Sequence, residues 1–126
     1  MSSRQGGRFR RSPQRQTEQT IDDETEISTL MGALEDSDCR AILEAASDRA
    51  LSASELCEIC DLPSSTAYRK VDQLTEAGLL EESVRLCTNG SHTSEYSLAV
   101  ADLEIDLQGG VELTMTEGAA PPAAAD

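Results

Sequence analysis

Within seven residues, from Ser64 to Lys70, the chain places three hydroxyls (Ser64, Ser65, Thr66), a phenol (Tyr68) and two adjacent cations (Arg69, Lys70). At the start of a helix such side chains join free backbone N–H groups, so the set suits phosphate oxygens and the acceptor edges of bases. Gln73 adds an amide of the kind that pairs with a base edge. A second polar group, Asn89 and His92 in T-N-G-S-H-T, is small enough to meet a neighbouring backbone or a minor groove. Taken singly, each has a bland explanation: a Ser-Ser-Thr run caps helices, Arg69 and Lys70 are solvated surface, His92 is a turn residue. Their co-location argues for more. After Thr17 the basic residues are Arg40, Arg49, Arg69, Lys70 and Arg85, and the one adjacent pair falls here.

The other reactive set is thiol chemistry. Cys57 and Cys60 stand in E-L-C-E-I-C-D-L. A Cys-x-x-Cys pair binds soft metal ions or closes reversibly into a disulfide, with Cys39 or Cys87 as a third thiolate. The same two residues also continue an apolar stripe begun by Ala53 and Leu56, which makes them small buried hydrophobes, the reading we favour. No cofactor is expected, and catalysis is the function class least served. The only histidine sits in a turn, no Gly-rich phosphate loop occurs, and no carboxylate pair has a cleft in a chain of 126 residues.

The composition is acidic: 24 Asp and Glu against ten Lys and Arg, a formal net charge of −14, and Lys70 as the only lysine. It is also uneven. Met1–Thr17 holds five arginines and no acid, so all 24 acids lie from Glu18 onward, against five cations. Such a surface keeps a protein soluble where molar salt shortens the Debye length to about 3 Å, and a salt-accumulating archaeal host is the preferred explanation. A protein-binding surface or a DNA mimic is the alternative. No apolar run approaches the ~20 residues of a membrane helix and no apolar segment follows the N-terminal arginines, which points to the cytoplasm and to free thiols.

The elements that must position these groups follow from apolar spacing. Ile27, Leu30, Met31 and Leu34 predict a helix over Glu24–Leu34, and Cys39, Ile42, Leu43 and Ala46 a second one starting near Asp36 or Ser37. Ala53, Leu56, Cys57 and Cys60 predict a third, started by a capping box of Ser52 and Glu55. Asp61-Leu62-Pro63 breaks it. A fourth runs over Ser64–Ala77 with Ala67, Val71 and Leu74 inward, Ser65, Arg69 and Asp72 opposite, and Gly78 as its stop.

Past Gly78 the period changes to alternation. Ser83–Cys87 and Glu95–Leu98 flank Asn89-Gly90 and predict a hairpin. Leu103, Ile105 and Leu107, then Gly109-Gly110, then Val111, Leu113 and Met115, predict a second with every apolar residue on one face. That face must pack on the domain's own helices or on a second copy, and a homodimer is expected because an isolated hairpin is marginal. The organisation expected is a disordered Arg-rich arm over residues 1–24, a helical and hairpin domain over 25–100, a C-terminal hairpin over 101–116 and a disordered Pro/Ala-rich tail over 117–126.

The segment S-A-S-E-L-C-E-I-C-D-L-P-S-S-T-A-Y-R-K-V-D-Q-L-T-E-A-G-L-L, residues 52–80, resembles the helix-turn-helix of ArsR-like winged-helix transcriptional regulators, haloarchaeal members above all. With the flanking helix and hairpin the resemblance covers about residues 30–98. It implies an α+β, mainly α, winged helix-turn-helix with N-terminal helices and a β-hairpin wing, to which the second hairpin is an addition. It implies a sequence-specific DNA-binding regulator whose partner is double-stranded DNA. Its recognition helix, Ser64–Ala77, would enter the major groove with the wing, residues 83–98, beside it. E-L-C-E-I-C-D-L also resembles the metalloid site E-L-C-V-C-D-L of arsenic-sensing members. Here two residues, not one, separate the cysteines, which turns the second sulfur by about 100° around a helix. Two alternatives stand beside the main reading: a winged-helix protein-interaction module in contact with the transcription machinery, and a thiol-based metalloid- or redox-sensing repressor.

Overall fold

The computed structural model describes residues 18–118. The elements run β1 (Glu18–Ile21), α1 (Glu24–Glu35), α2 (Ser37–Asp48), β2 (Leu51–Ser52), α3 (Ala53–Cys60), α4 (Ser64–Glu76), β3 (Leu80–Leu86), β4 (His92–Leu98), β5 (Val100–Asp106) and β6 (Glu112–Glu117). None of these helices is long and apolar enough to cross a membrane.

Helices α1, α2 and α3 each begin where a side chain satisfies free N–H groups. Asp23 accepts from the Glu26 N–H at 3.0 Å, and Asp36 from those of Asp38 and Cys39 at 2.8 and 3.2 Å. Ser52 and Glu55 form the expected capping box, at 3.2 Å and 2.9 Å. Asp61 closes α3 in the left-handed region, φ 56°, letting the Leu62 N–H reach the Cys57 carbonyl at 3.0 Å. Gly78, φ 83°, does the same for α4, with the Leu79 N–H on the Leu74 carbonyl at 3.0 Å.

The helices bury Leu30, Ala33, Cys39, Ile42, Ala46, Leu56, Val71 and Leu74 into one core. Met31, expected in the α1 stripe, is 41% exposed, because the stripe is centred on Leu30 and Ala33 and leaves Met31 at its edge.

Two three-stranded antiparallel sheets complete the fold. The first, ordered β2-β4-β3, pairs Leu51 with Tyr96 and Leu80 with Leu98. Its β3–β4 hairpin is the wing, and here Gly90 alone of the turn residues takes a positive φ. Both strands run seven residues, longer than the sequence predicts, because the pairing continues from Leu86 and His92 at the turn to Leu80 and Leu98 at the core.

The second sheet, ordered β1-β6-β5, corrects the expected arm over residues 1–24, since Glu18–Ile21 is a strand. Its register sets Ile21 opposite Leu113 and Gln19 opposite Met115, while β5 sets Ile105 opposite Leu113 and Leu103 opposite Met115. The physical reason is that β6 needs a partner on both edges and Ile21 supplies an apolar anchor, 5% exposed. Arginines 4 to 15 and residues 119–126, where the rest of both expected tails falls, lie outside the described residues.

The apolar face expected on the second hairpin exists, and it is divided. Leu113 and Met115 join the helical core, whereas Ile105, Leu107 and Val111 at the far end remain 45%, 70% and 44% exposed.

Candidate nucleic-acid interface

Helices α3 and α4 form a helix-turn-helix, and the turn sets the start of α4 free. Pro63, φ −61°, is its N-cap and contributes no side-chain hydrogen bond, so the first-turn N–H groups point outward unpaired by any cap. Ser64 and Ser65 are exposed there and Thr66 is half-buried. Ala67, Val71 and Leu74 anchor the inner side. This leaves Tyr68, 52% exposed, and Arg69 on the outer side, with Gln73 half-buried a turn later. Asp72 and Glu76 are exposed as well, toward the C-terminal half.

Lys70 does not belong to this surface, which corrects its expected place beside Arg69. It is 9% exposed, and its Nζ is hydrogen-bonded to Asp36 Oδ2 in an ion pair. The helical period explains the inward turn, because position 70 lies three residues from Ala67 and four from Leu74, on the buried side. Asp36 thereby caps α2 and holds α4 at once. Its carboxyl is held below the ordinary carboxylate range chiefly by the Lys70 hydrogen bond, and the same bond raises the Lys70 ammonium above its usual value.

The wing is likewise tied to the helices by charge. Arg85 donates from Nε to Glu95 Oε1 at 2.8 Å and from both terminal nitrogens to Glu55 at 2.8 and 3.1 Å. The bidentate pair drives the Glu55 carboxyl down to about 2. No local sequence signal pointed to Arg85, because its partner lies 30 residues away.

Strand alternation puts Arg85, Thr93 and Glu95 on one side of the wing and Val84, Leu86, His92, Ser94 and Tyr96 on the other. The second side also carries Glu82, which accepts from the Ser94 hydroxyl at 2.7 Å, and it continues into the core at Leu80 and Tyr96. Burial pushes the Tyr96 hydroxyl up, and the nearby carboxylates of Glu82 and Asp72 push it further, with Tyr68 also close. His92 is exposed at the start of β4. Asn89 is exposed, but its Oδ1 is occupied by the N–H and hydroxyl of Ser91, at 3.0 and 2.7 Å.

The cation inventory is therefore short. Arg40 donates to the Leu34 and Glu35 carbonyls that end α1, and Lys70 and Arg85 are paired as above. Among the described residues, Arg49 and Arg69 are the cations left exposed without such a partner, and only Arg69 lies on α4.

The thiols are all free. Cys39 is buried, and burial raises its thiol and that of Cys60. Cys57 donates to the Leu62 carbonyl at 3.3 Å, inside the turn, so it acts as a turn ligand as well as a partly buried hydrophobe. Among the described residues no group of three or more His, Cys, Asp or Glu is arranged to hold a metal ion.

Residues 34–83 match a family model described as a helix-turn-helix domain. The structure is similar to NolR from Sinorhizobium fredii, with a TM-score of 0.50 and 17% identity, over 61% of this chain and 72% of that one. It also resembles the homodimeric winged helix-turn-helix DNA-binding domain of a possible ArsR-family transcriptional regulator from Mycobacterium bovis. That comparison has a TM-score of 0.49 and 17% identity, over 60% of this chain and 65% of that one. A possible transcriptional regulator from Methanosarcina mazei matches with a TM-score of 0.46 and 22% identity, over 64% and 73%. No curated protein sequence matches the chain. The fold is a winged helix-turn-helix, extended by the second sheet.

Proposed function

We propose that the chain is a sequence-specific, DNA-binding transcription regulator, with α4 in the major groove and the wing along the adjoining backbone. The observation that carries this reading is the exposed pair Tyr68 and Arg69 beside an uncapped helix start, on the second helix of a helix-turn-helix. Ser64, Ser65 and Thr66 meet phosphate through hydroxyls and backbone N–H groups, Arg69 and Tyr68 reach bases or backbone, and Gln73 reads a base edge. His92 and Asn89 add polar wing contacts.

Such an interface neutralises few phosphates. Each phosphate contributes about −0.9 to the slope of log affinity against log salt, so binding through a single α4 cation weakens little in brine. That property suits a salt-accumulating archaeal cytoplasm, the setting we infer from the acid excess. The arginines before Thr17 are a supplementary minor-groove or backbone contact. The reading is one of binding, without catalysis.

A gel-shift titration with Arg69→Ala, begun at molar potassium chloride and repeated at falling salt, tests this. Loss of affinity with a shallower slope supports the α4 site, and equal retention overturns it.

We place a second copy of the chain, in a homodimer, at the exposed end of the second hairpin, where Ile105, Leu107 and Val111 are unpartnered apolar residues. The same face favours a second reading, a module that meets another protein of the transcription machinery. Sedimentation of the chain alone separates them: a dimer abolished by Leu107→Ser supports the first, and a monomer the second.

A further inference from the structure

A cavity of about 280 Å³ opens where the second sheet meets the helices, between β1, α1, the end of α4 and β6. Buried Ile21, Leu30 and Met115 supply its apolar wall, and the exposed Glu26 and Glu76 bring two carboxylates to its mouth. The rest of its polar lining is uncharged. Among the described residues no cation answers these carboxylates: Arg40, Lys70 and Arg85 are held elsewhere, and Arg49 and Arg69 are not part of the lining. The last turn of α4 forms one side of the opening and adds the negative end of its helix dipole. The space is therefore apolar within, doubly negative at the mouth, and sized for a small molecule.

We propose that this cavity binds an aliphatic diamine, with the methylene chain against Ile21, Leu30 and Met115 and the two ammonium groups on Glu26 and Glu76. An inorganic cation would meet the carboxylates and bring no apolar surface, and an uncharged chain would leave both carboxylates unmet. Excluding water from the methylenes keeps its strength in molar salt, where Coulomb attraction is screened beyond about 3 Å. Occupancy reaches the DNA site through Glu76. That carboxylate and Asp72, one turn before it, are both exposed on α4 and repel phosphate, and an ammonium on Glu76 cancels one of the two. Diamine and DNA therefore bind with positive coupling, each strengthening the other to the same degree. The site stands on the cavity alone, and the coupling rests on the DNA-binding reading above.

The test is isothermal titration of the full chain, in molar potassium chloride, with putrescine, cadaverine and hexamethylenediamine, and with hexylamine, hexanediol and magnesium chloride as controls. Saturable one-to-one binding is expected, about fourfold tighter for each added methylene until the chain outgrows the cavity, with all three controls weaker. Glu26→Gln and Glu76→Gln are each expected to weaken diamine binding about fivefold with unchanged thermal melts, and Glu58→Gln, exposed on α3, to leave it unchanged. No binding of any diamine, or an equal response to magnesium or hexanediol, overturns the site, because the carboxylates are then ordinary surface charge. With a fluorescent duplex that the chain selects from a random-sequence pool, saturating diamine is expected to raise DNA affinity about fivefold. In Glu26→Gln the same rise should need about fivefold more diamine, which separates it from diamine acting on the duplex. Diamine binding with no change in DNA affinity overturns the coupling and leaves the site and the regulator reading standing. A chain that titrates with diamine and selects no duplex overturns the regulator reading and keeps the site.

Discussion

Arg85 grips the Glu55 carboxylate with two nitrogens, and the same carboxylate accepts the Ser52 N–H at 2.9 Å, so one acid caps α3 and aims the wing. Glu55 is held at about 2 in the folded chain, against roughly 4.3 when unfolded. Its contribution is therefore fully present above about pH 4.3 and is lost as pH falls toward 2. The side chain is 40% exposed, so solvent screening limits the pair to about 1 kcal/mol. Glu55→Gln is expected to lower stability by about that much at neutral pH and to flatten the acid limb of urea-melt stability against pH. An unchanged acid limb would count against the role of this carboxylate.

Lys70 and Arg69 are neighbours with opposite assignments, and salt titration separates them. Arg69→Met is expected to make the slope of log DNA affinity against log salt shallower by about 0.9, one phosphate contact. Lys70→Met is expected to leave that slope unchanged and to lower the melting temperature, because it strips Asp36 of its partner. A slope change in Lys70→Met would return that ammonium to the DNA surface.

Gly78 tests how tightly α4 is ended. A Cβ there would sit at φ 83°, a conformation L-residues avoid, and 3.5 Å from Met115 Cε. Gly78→Ala is expected to cost about 1–2 kcal/mol in chemical denaturation, chiefly from the backbone. A variant as stable as the wild type would show that another closure of α4 is available.

Ile21 is the single fully apolar anchor of β1. Ile21→Ala is expected to cost about 2–3 kcal/mol and to speed hydrogen exchange in β1 amides relative to those of α4. Uniform exchange across both elements would mean that β1 opens only with the whole domain.

Local signals carried much of this fold. The Ser52–Glu55 box, Pro63 and Gly78 each act within a few residues, and the apolar periods located all four helices to within a residue or two of their ends. What escaped depends on distant partners. Lys70 looks like half of a surface pair until Asp36, 34 residues back, is brought beneath it. Arg85 reads as one more exposed strand cation until Glu55 meets it. Glu18–Ile21 shows a single apolar residue, too weak a signal for a strand until β6 offers a ladder. On the site itself, the exposed face of α4 was legible from the helical period alone, whereas the apolar side of the wing needed the strand register.

The antiparallel match of Glu18 with Thr116 has a topological consequence. The first and last strands leave the body side by side, one strand spacing of about 5 Å apart, so the backbone traces a nearly closed ring. A short glycine-serine bridge joining those two points, with fresh termini cut at the Asn89-Gly90 turn, would give a circular permutant that keeps every packed element in place.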